Sequence, residues 1–250
     1  MIGGGAVTAE QNNIYGTLYL CATPIGNLED MTPRALRMLQ EADLIAAEDT
    51  RHTLQLLNHF NIKGRLERYD EHSKDKQGEY LLGQLLEGKN VALVSDAGFP
   101  GIADPGEALA HDAIAHGIRV VPVPGANAAL CALIASGLPT YPFFFGGFLP
   151  KSKRNRREQL EQWQHIPATI ILYEAPHRIV EVLKDILAAW GDRPLAAARE
   201  LTKLHEEFYR VWNGWRPIRR AESSAWCSVP ATVLLLQPRR SLNLLTRCAS

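Results

Sequence analysis

Five short apolar runs, each followed by a loop rich in Gly, Pro or acidic residues, constrain this chain more than any other feature. The runs are 17–22, 43–47, 65–69, 90–95 and 119–122, and each gap leaves room for a helix. The first, fourth and fifth are dominated by Val, Leu and Tyr with little polar alternation, as expected of strands covered on both faces. Thr32 followed by Pro33 is an N-cap and first-turn pair that predicts a helix through about Gln40. Pro105 opens a second helix that stops near Gly117, and 126–136 reads as a small-residue helix closed by Gly137 and Pro139. The pattern predicts an α/β fold with a parallel sheet.

A second α/β set follows. A helix is expected from Lys151 to about His165, a strand over 168–173, a helix over 177–190 closed by Gly191, and a strand over 195–198. The stretch 139–150, carrying Phe143, Phe144, Phe145, Gly146 and Gly147, reads as the connection between the sets, with a boundary near 137–141. The expected organisation is a loose tail over 1–15, one domain over 16–138 and another over 139–250, the last 40 residues being atypical.

Composition narrows the class. With 46% apolar and 22% charged residues in 250, the chain can bury a real core, which excludes disorder throughout. The longest nearly apolar stretch, 126–138, falls short of the about 20 residues a membrane span needs, and 1–15 has no signal-peptide character. Cys21, Cys131, Cys227 and Cys248 are far apart and form no CxxC pair. That suits a reducing, cytoplasmic setting and argues against a disulfide framework or a zinc site; the eight histidines likewise form no metal-binding spacing.

In an open parallel sheet, ligands sit outside the carboxyl ends of the strands. The loops there are Thr23-Pro24-Ile25-Gly26-Asn27, Glu48-Asp49-Thr50-Arg51, Asp96-Ala97-Gly98-Phe99-Pro100-Gly101 and Pro124-Gly125-Ala126-Asn127. None carries a GxGxxG or a GxxxxGK[ST] phosphate device. Gly and Pro let backbone approach a ligand closely, and Asp suits hydroxyls or a cation. S-adenosylmethionine has a ribose diol, an ammonium, a sulfonium and no phosphate, so it fits such loops.

Taken in order, the segments ATPIGNLEDMTPRAL, AAEDTRHT, VALVSDAGFPGIADPG, VPVPGANAAL, ASGLP, GFLPK, LYEAPHRI and ARELTK resemble the bacterial 16S rRNA (cytidine-2′-O)-methyltransferases of the tetrapyrrole-methylase superfamily. The resemblance spans about 16–210. It implies two α/β domains with the cofactor, S-adenosylmethionine, in the cleft between them, a homodimer, and a ribose substrate in the decoding region of the small ribosomal subunit's RNA. It places Pro24, Asp96, Ala97, Gly98, Pro100, Pro124, Gly125 and Ala126 at the cofactor, and the EDTRH, YEAPHR and RELTK segments on the substrate side. The family usually has Thr at Phe99, Ser at Ala103, and a His-Asn pair at Asp70 and Ser73.

A ribose hydroxyl needs positioning and removal of its proton during attack. Glu48, Asp49, Glu174, His177 and Glu200 are the candidate catalytic groups, with Arg51, Arg178 and Lys203 as charge partners on the RNA side. Three have a plainer alternative: Asp49 caps the next helix, His177 caps or packs under a Pro turn, and Glu200 pairs with Lys203. The loop Tyr69-Asp70-Glu71-His72 is a further option, whose plainer reading is a solvated turn. Lys151, Lys153, Arg154, Arg156 and Arg157 crowd a helix N-terminus, where the macrodipole disfavours cations, and are expected to grip RNA phosphate.

The tail departs from the family pattern. From Val211 it holds six Arg, no Lys, one acid and three of the five Trp, a charge of +5 against −5 for the remainder. Either the reading frame changes near Val211, leaving the second domain without its last strand and helix, or the tail is a divergent RNA-binding arm. A tetrapyrrole methyltransferase, which would not need the basic segment, and an RNA-binding protein with impaired catalysis are the competing functions.

Overall fold

In a computed structural model, residues 14–102, 104, 106–212 and 232–237 are described; Ala103 and Pro105 lie outside them, as does most of the tail. The chain divides into two compact units, one holding Leu28–Ala126 with the residues through Pro24, the other Asn127 onward with Ile25–Asn27.

The first unit is built on β1 (Thr17–Cys21), β2 (Leu44–Ala47), β3 (Leu66–Arg68), β4 (Val91–Val94) and β5 (Arg119–Val123). They lie in the order β3-β2-β4-β1-β5, every pair parallel. Alternation along a strand sends side chains to two helical layers. Ile45, Ala47, Ala92, Val94, Cys21 and Val123 pack with α1 (Pro33–Glu41) and α2 (Thr50–His59). On the opposite face Leu44, Ala46, Val91, Leu93 and Leu18 pack with α3 (Lys74–Leu86) and α4 (Gly106–Ala115). Both faces are covered, so the strands read as continuous apolar runs. Thr32 caps α1 as its sequence predicts, its Oγ1 accepting the Ala35 N–H at 3.2 Å, with Pro33 in the first turn.

The second unit carries β6 (Phe143–Phe148), β7 (Thr169–Glu174), β8 (Leu195–Arg199), β9 (Glu207–Val211) and β10 (Thr232–Leu236), in the order β6-β7-β10-β8-β9. Among its hydrogen-bonded neighbours only the β6–β7 pair is parallel. α5 (Ala128–Ala135) covers one face, α6 (Lys153–Trp163) and α7 (Ile179–Trp190) the other.

Three expectations are corrected. The units divide at Ala126, not near 137–141, because Ala129, Ala132 and Leu133 of α5 pack on the second sheet with Ile171, Ala196 and Leu235. The Phe-rich stretch is the edge strand β6 and not a connection. Its glycines mark a register shift between Phe145 and Gly147, and a Cβ at Gly146 would stand 2.7 Å from the Trp163 ring. Finally, the second sheet does not lack a last strand. Thr232–Leu236 sits at its centre, antiparallel to both neighbours and buried throughout, Val233 and Leu235 on one face, Leu234 and Leu236 on the other.

A chain segment at the middle of a sheet holds up both flanks. Leu234→Ala should therefore cost about 2–5 kcal/mol of unfolding free energy in urea titrations. A cost near zero would mean that the tail contributes no strand.

Candidate active site

The carboxyl ends of β1, β4 and β5 meet as a set of interlocked turns. The Thr23 N–H donates to the Gly98 carbonyl at 2.9 Å and the Gly98 N–H returns to the Thr23 carbonyl at 3.1 Å. Thr23 Oγ1 donates to the Ser95 carbonyl and Ser95 Oγ to the Gly98 carbonyl, at 3.1 and 3.2 Å. Gly98 has φ +84°, in the left-handed region where glycine has no steric cost. Asp104 Oδ1 accepts the N–H of Gly101 and of Gly106, at 2.6 and 2.9 Å, which fixes the far side of the same loop. After β5, a Cβ at Gly125 would stand 2.9 Å from the Ala22 Cβ, so the chain passes hard against the end of β1. Gly98 and Pro100 are buried, Pro24, Asp96, Gly125 and Ala126 are half-buried, and Ala97 and Pro124 are exposed.

Beyond β2, β3 and β4 lies a cavity of about 610 Å³ lined by Glu48, Asp49, Thr50, Arg51, Arg68, Asp70, Glu71, His72 and Asp96. Glu48, Asp49 and Arg51, expected on the substrate side, thus line one cavity together with Asp96, expected at the cofactor. Asp49 is the N-cap of α2: its Oδ1 accepts the Arg51 N–H at 2.8 Å, and its two oxygens take the Arg51 guanidinium at 3.1 and 2.7 Å. Those bonds hold its carboxyl well below the usual carboxylate range. Glu48 behaves oppositely. Burial, then the charges of Asp96, Asp104 and Asp70, push its carboxyl up, against a hydrogen bond from the Asp96 backbone.

The turn at 69–72 is only half solvated, which corrects that reading. Tyr69 and Asp70 are buried, and Asp70 accepts from Ser73 Oγ at 2.7 Å, the Ser73 N–H at 2.9 Å and Arg68 Nε at 2.6 Å. These bonds, the Ser73 hydroxyl's first, lower its carboxyl to about 2. Where the family pattern has His and Asn, this chain has a self-satisfied capping pair. Arg68 escaped the sequence reading as a cavity residue; β3 is only three residues long and its end carries no Gly-Pro signal.

The second unit holds the remaining candidates. His177 is exposed in a single turn of 3₁₀ helix. Glu200 and Lys203 do pair, at 3.0 Å, in a loop where Glu200 and Thr202 have φ of +51° and +67°. The Lys203 stem lies over Gly26, where a Cβ would stand 2.5 Å from it. Glu174 is buried, its Oε1 accepting the Ala175 N–H at 2.8 Å and facing Arg178 at 3.5 Å. Arg178 donates to the carbonyls of Leu149 and Pro150, at 3.2 and 3.0 Å, and so is spent on the backbone.

One member of the basic segment is corrected outright. Arg156 has no exposed surface; it donates to Asp185 Oδ2 at 2.9 and 2.7 Å, to Glu181 at 2.5 Å, and to the Pro150 and Lys151 carbonyls at 3.4 and 3.2 Å. Arg157 adds a bond to Asp185 Oδ1 at 3.0 Å. Arg156 therefore grips its own fold and no RNA. Lys151, Lys153 and Arg154 are exposed, Arg154 pairing with Glu158 at 2.9 Å.

A family model described as Tetrapyrrole (Corrin/Porphyrin) Methylases matches residues 17–212. The chain belongs to that family. A protein of Halalkalibacterium halodurans named Ribosomal RNA small subunit methyltransferase I is 57% identical over 201 residues, covering 80% of this chain and 70% of the relative. One of the same name from Bacillus subtilis is 52% identical over 195 residues, covering 78% and 67%. Among solved structures, a diphthine synthase superposes with a TM-score of 0.67 at 15% identity, covering 89% of this chain and 90% of its own. A uroporphyrin-III C-methyltransferase from Thermus thermophilus, complexed with S-adenosylhomocysteine, gives 0.62 at 22%, covering 88% and 97%. These two share the fold. The family match stops at 212, where the tail begins to depart.

Removing Arg156 leaves Asp185 buried without its main partner. Arg156→Ala should cost about 3–5 kcal/mol in denaturant unfolding, against at most about 0.5 kcal/mol for exposed Lys153→Ala. Burial raises the Asp185 carboxyl, but its bonds to Arg156 and Arg157 hold it below the ordinary value. Its contribution is then present above the unfolded carboxyl's pKa and lost as pH falls through the lower, folded one. Acid should therefore narrow the gap between wild type and Arg156→Ala, read as converging urea midpoints below about pH 4.

Proposed function

We propose that this chain is an S-adenosylmethionine-dependent methyltransferase acting on the ribose 2′-hydroxyl of a cytidine in the decoding region of 16S rRNA. The observation that carries this reading is the 57% identity, over 201 residues, to a relative whose name states small-subunit rRNA methylation. The protein with a porphyrin-type name reaches only 22%.

The strand-end loops of the first unit fit the donor. They present backbone at Gly98, whose φ of +84° a side chain would strain, and at Gly125, where a Cβ would meet Ala22, and a carboxylate at Asp96 for a cationic or hydroxylated ligand. Pro24, Asp96, Ala97, Gly98, Pro100, Pro124, Gly125 and Ala126 are the residues that would hold it. When bound, S-adenosylmethionine supplies an electrophilic methyl group. The chain's own part is to align the hydroxyl, take its proton and hold the RNA.

On the RNA side, Lys151, Lys153 and Arg154 are the exposed cations of the segment before and into α6, with Arg51 at the mouth of the first unit's cavity. Arg178 and Lys203 support loops instead. The reading includes a cytoplasmic homodimer working on the small subunit, as the family resemblance implies; no helix among the described residues is long and apolar enough to cross a membrane.

Primer extension at low nucleotide triphosphate tests the function: rRNA from cells with the gene should stop at the modified ribose, and rRNA from deletion cells should not. Asp96→Ala and Pro24→Gly should weaken S-adenosylmethionine binding by calorimetry while the fold stays intact. Unchanged affinity in both would place the donor elsewhere. Lys151, Lys153 and Arg154 changed together to Gln should flatten the salt dependence of rRNA binding, by roughly 0.7–0.9 in log–log slope per lost phosphate contact. Donor affinity should not change.

A further inference from the structure

Glu48 directly follows β2 and lines the cavity of the first unit. Its carboxylate accepts the Asp96 backbone N–H, while Asp96 Oδ1 accepts the Asp49 backbone N–H at 3.1 Å. The ends of β2 and β4 thus hold each other reciprocally, and Glu48 is fixed at the wall beside a second carboxylate.

The other charges facing it have partners of their own. Arg51 is taken by Asp49, Arg68 by Asp70, and Glu71 by Lys74 at 2.5 Å. The cations in the wall are therefore neutralised locally. Asp49 and Asp70, the other two acids there, serve as a helix cap and a turn cap. Glu48 makes no ion pair with either arginine, and it is half-buried.

We propose that Glu48 is the catalytic residue that takes the proton from the attacking ribose hydroxyl. This rests on the rRNA methyltransferase reading. The hydroxyl oxygen forms the new bond to the methyl carbon, and the methyl–sulfur bond breaks with its electron pair passing to sulfur. The hydroxyl proton passes to the Glu48 carboxylate, which later returns it to water. Burial and then Asp96, Asp104 and Asp70 push the Glu48 carboxyl up, which makes the carboxylate a better proton acceptor. Asp96 and Asp104 act as positioning residues through that field.

The sign follows. Glu48 works ionised, so the methylation rate falls as pH drops through its pKa. Removing a negative neighbour lowers that pKa, so the acid limb should move to lower pH in Asp96→Asn and in Asp104→Asn. The second variant keeps the oxygen that accepts from Gly101 and Gly106. His72→Gln, which removes the other titratable group of the wall that has no assigned partner here, should leave the limb in place.

The experiment uses the full chain, intact small subunits and saturating S-adenosylmethionine. Glu48→Gln should lower kcat by about 100-fold or more, the range for a lost general base, with donor affinity unchanged by calorimetry. In parallel, carboxyl ¹³C NMR of the protein without donor should find Glu48 titrating above its ordinary value and moving down in Asp96→Asn. A Glu48→Gln enzyme within about tenfold of wild type overturns the inference, as does an acid limb that stays put in both Asn variants. Wild-type protein that never methylates the small subunit would instead overturn the rRNA reading itself.

Discussion

Because all five strands of the first sheet run parallel, they deliver every carboxyl end to the same edge, and the site depends on that single constraint. In the order β3-β2-β4-β1-β5, β1 leads on to β2 beyond β4, and β4 to β5 beyond β1, so the two connections pass each other on opposite faces of the sheet. Backbone groups at that edge have no further strand to bond. They bond each other or a nearby carboxylate instead: Thr23 with Gly98 backbone to backbone, the Asp49 N–H to the Asp96 carboxylate, and the Gly101 and Gly106 N–H groups to the Asp104 carboxylate. A rigid rim results from ordinary satisfaction of buried donors and acceptors, and its rigidity is what a transferase needs to hold two reactants in line.

Charge is handled differently in the two units. In the second, the ionic cluster is internal: Arg156, Asp185 and Glu181 satisfy one another and pin the 149–151 backbone, with Arg178 gripping it from β7's end. Such a cluster adds little net stability over an apolar replacement, yet it is costly to break on one side. It also fixes where Lys151 leaves the fold. The exposed cations of this segment therefore stand on a rigid base formed by their buried neighbour.

Much of the first unit was legible because its signals are local. Thr32-Pro33 dictates a helix start from two adjacent residues, and uninterrupted apolar runs dictate strands covered on both faces. What could not be read depends on partners distant in sequence. Arg156 looks like its four basic neighbours until Asp185, 29 residues on, is brought against it. The Phe143–Phe148 strand is hidden by two glycines whose purpose, a bulge and room for Trp163, exists only in the packed state. The central strand Thr232–Leu236 follows a stretch without helical or strand periodicity, and only the vacancy between β7 and β8 explains its place. At the candidate site, residue types were legible and roles only in part: the loops after β2 and β4 pointed to carboxylates that the fold gathers in one cavity, and capping by Asp49 was one of two readings that EDTR left open.

That distinction comes from chain geometry. Asp49 starts a helix, so its side chain folds back onto the first-turn N–H groups and meets Arg51 two residues later, in solvent. Glu48, one residue earlier, is still governed by the strand, so it points away from that cap and toward the end of β4. There it receives one backbone N–H and three negative neighbours. Adjacent carboxylates are thereby driven in opposite directions, one held ionised for structure and the other made more basic. Environments that separate two like groups in this way are the recurrent device for assigning proton chemistry to one of them. Here the device needs only a strand that ends where a helix begins.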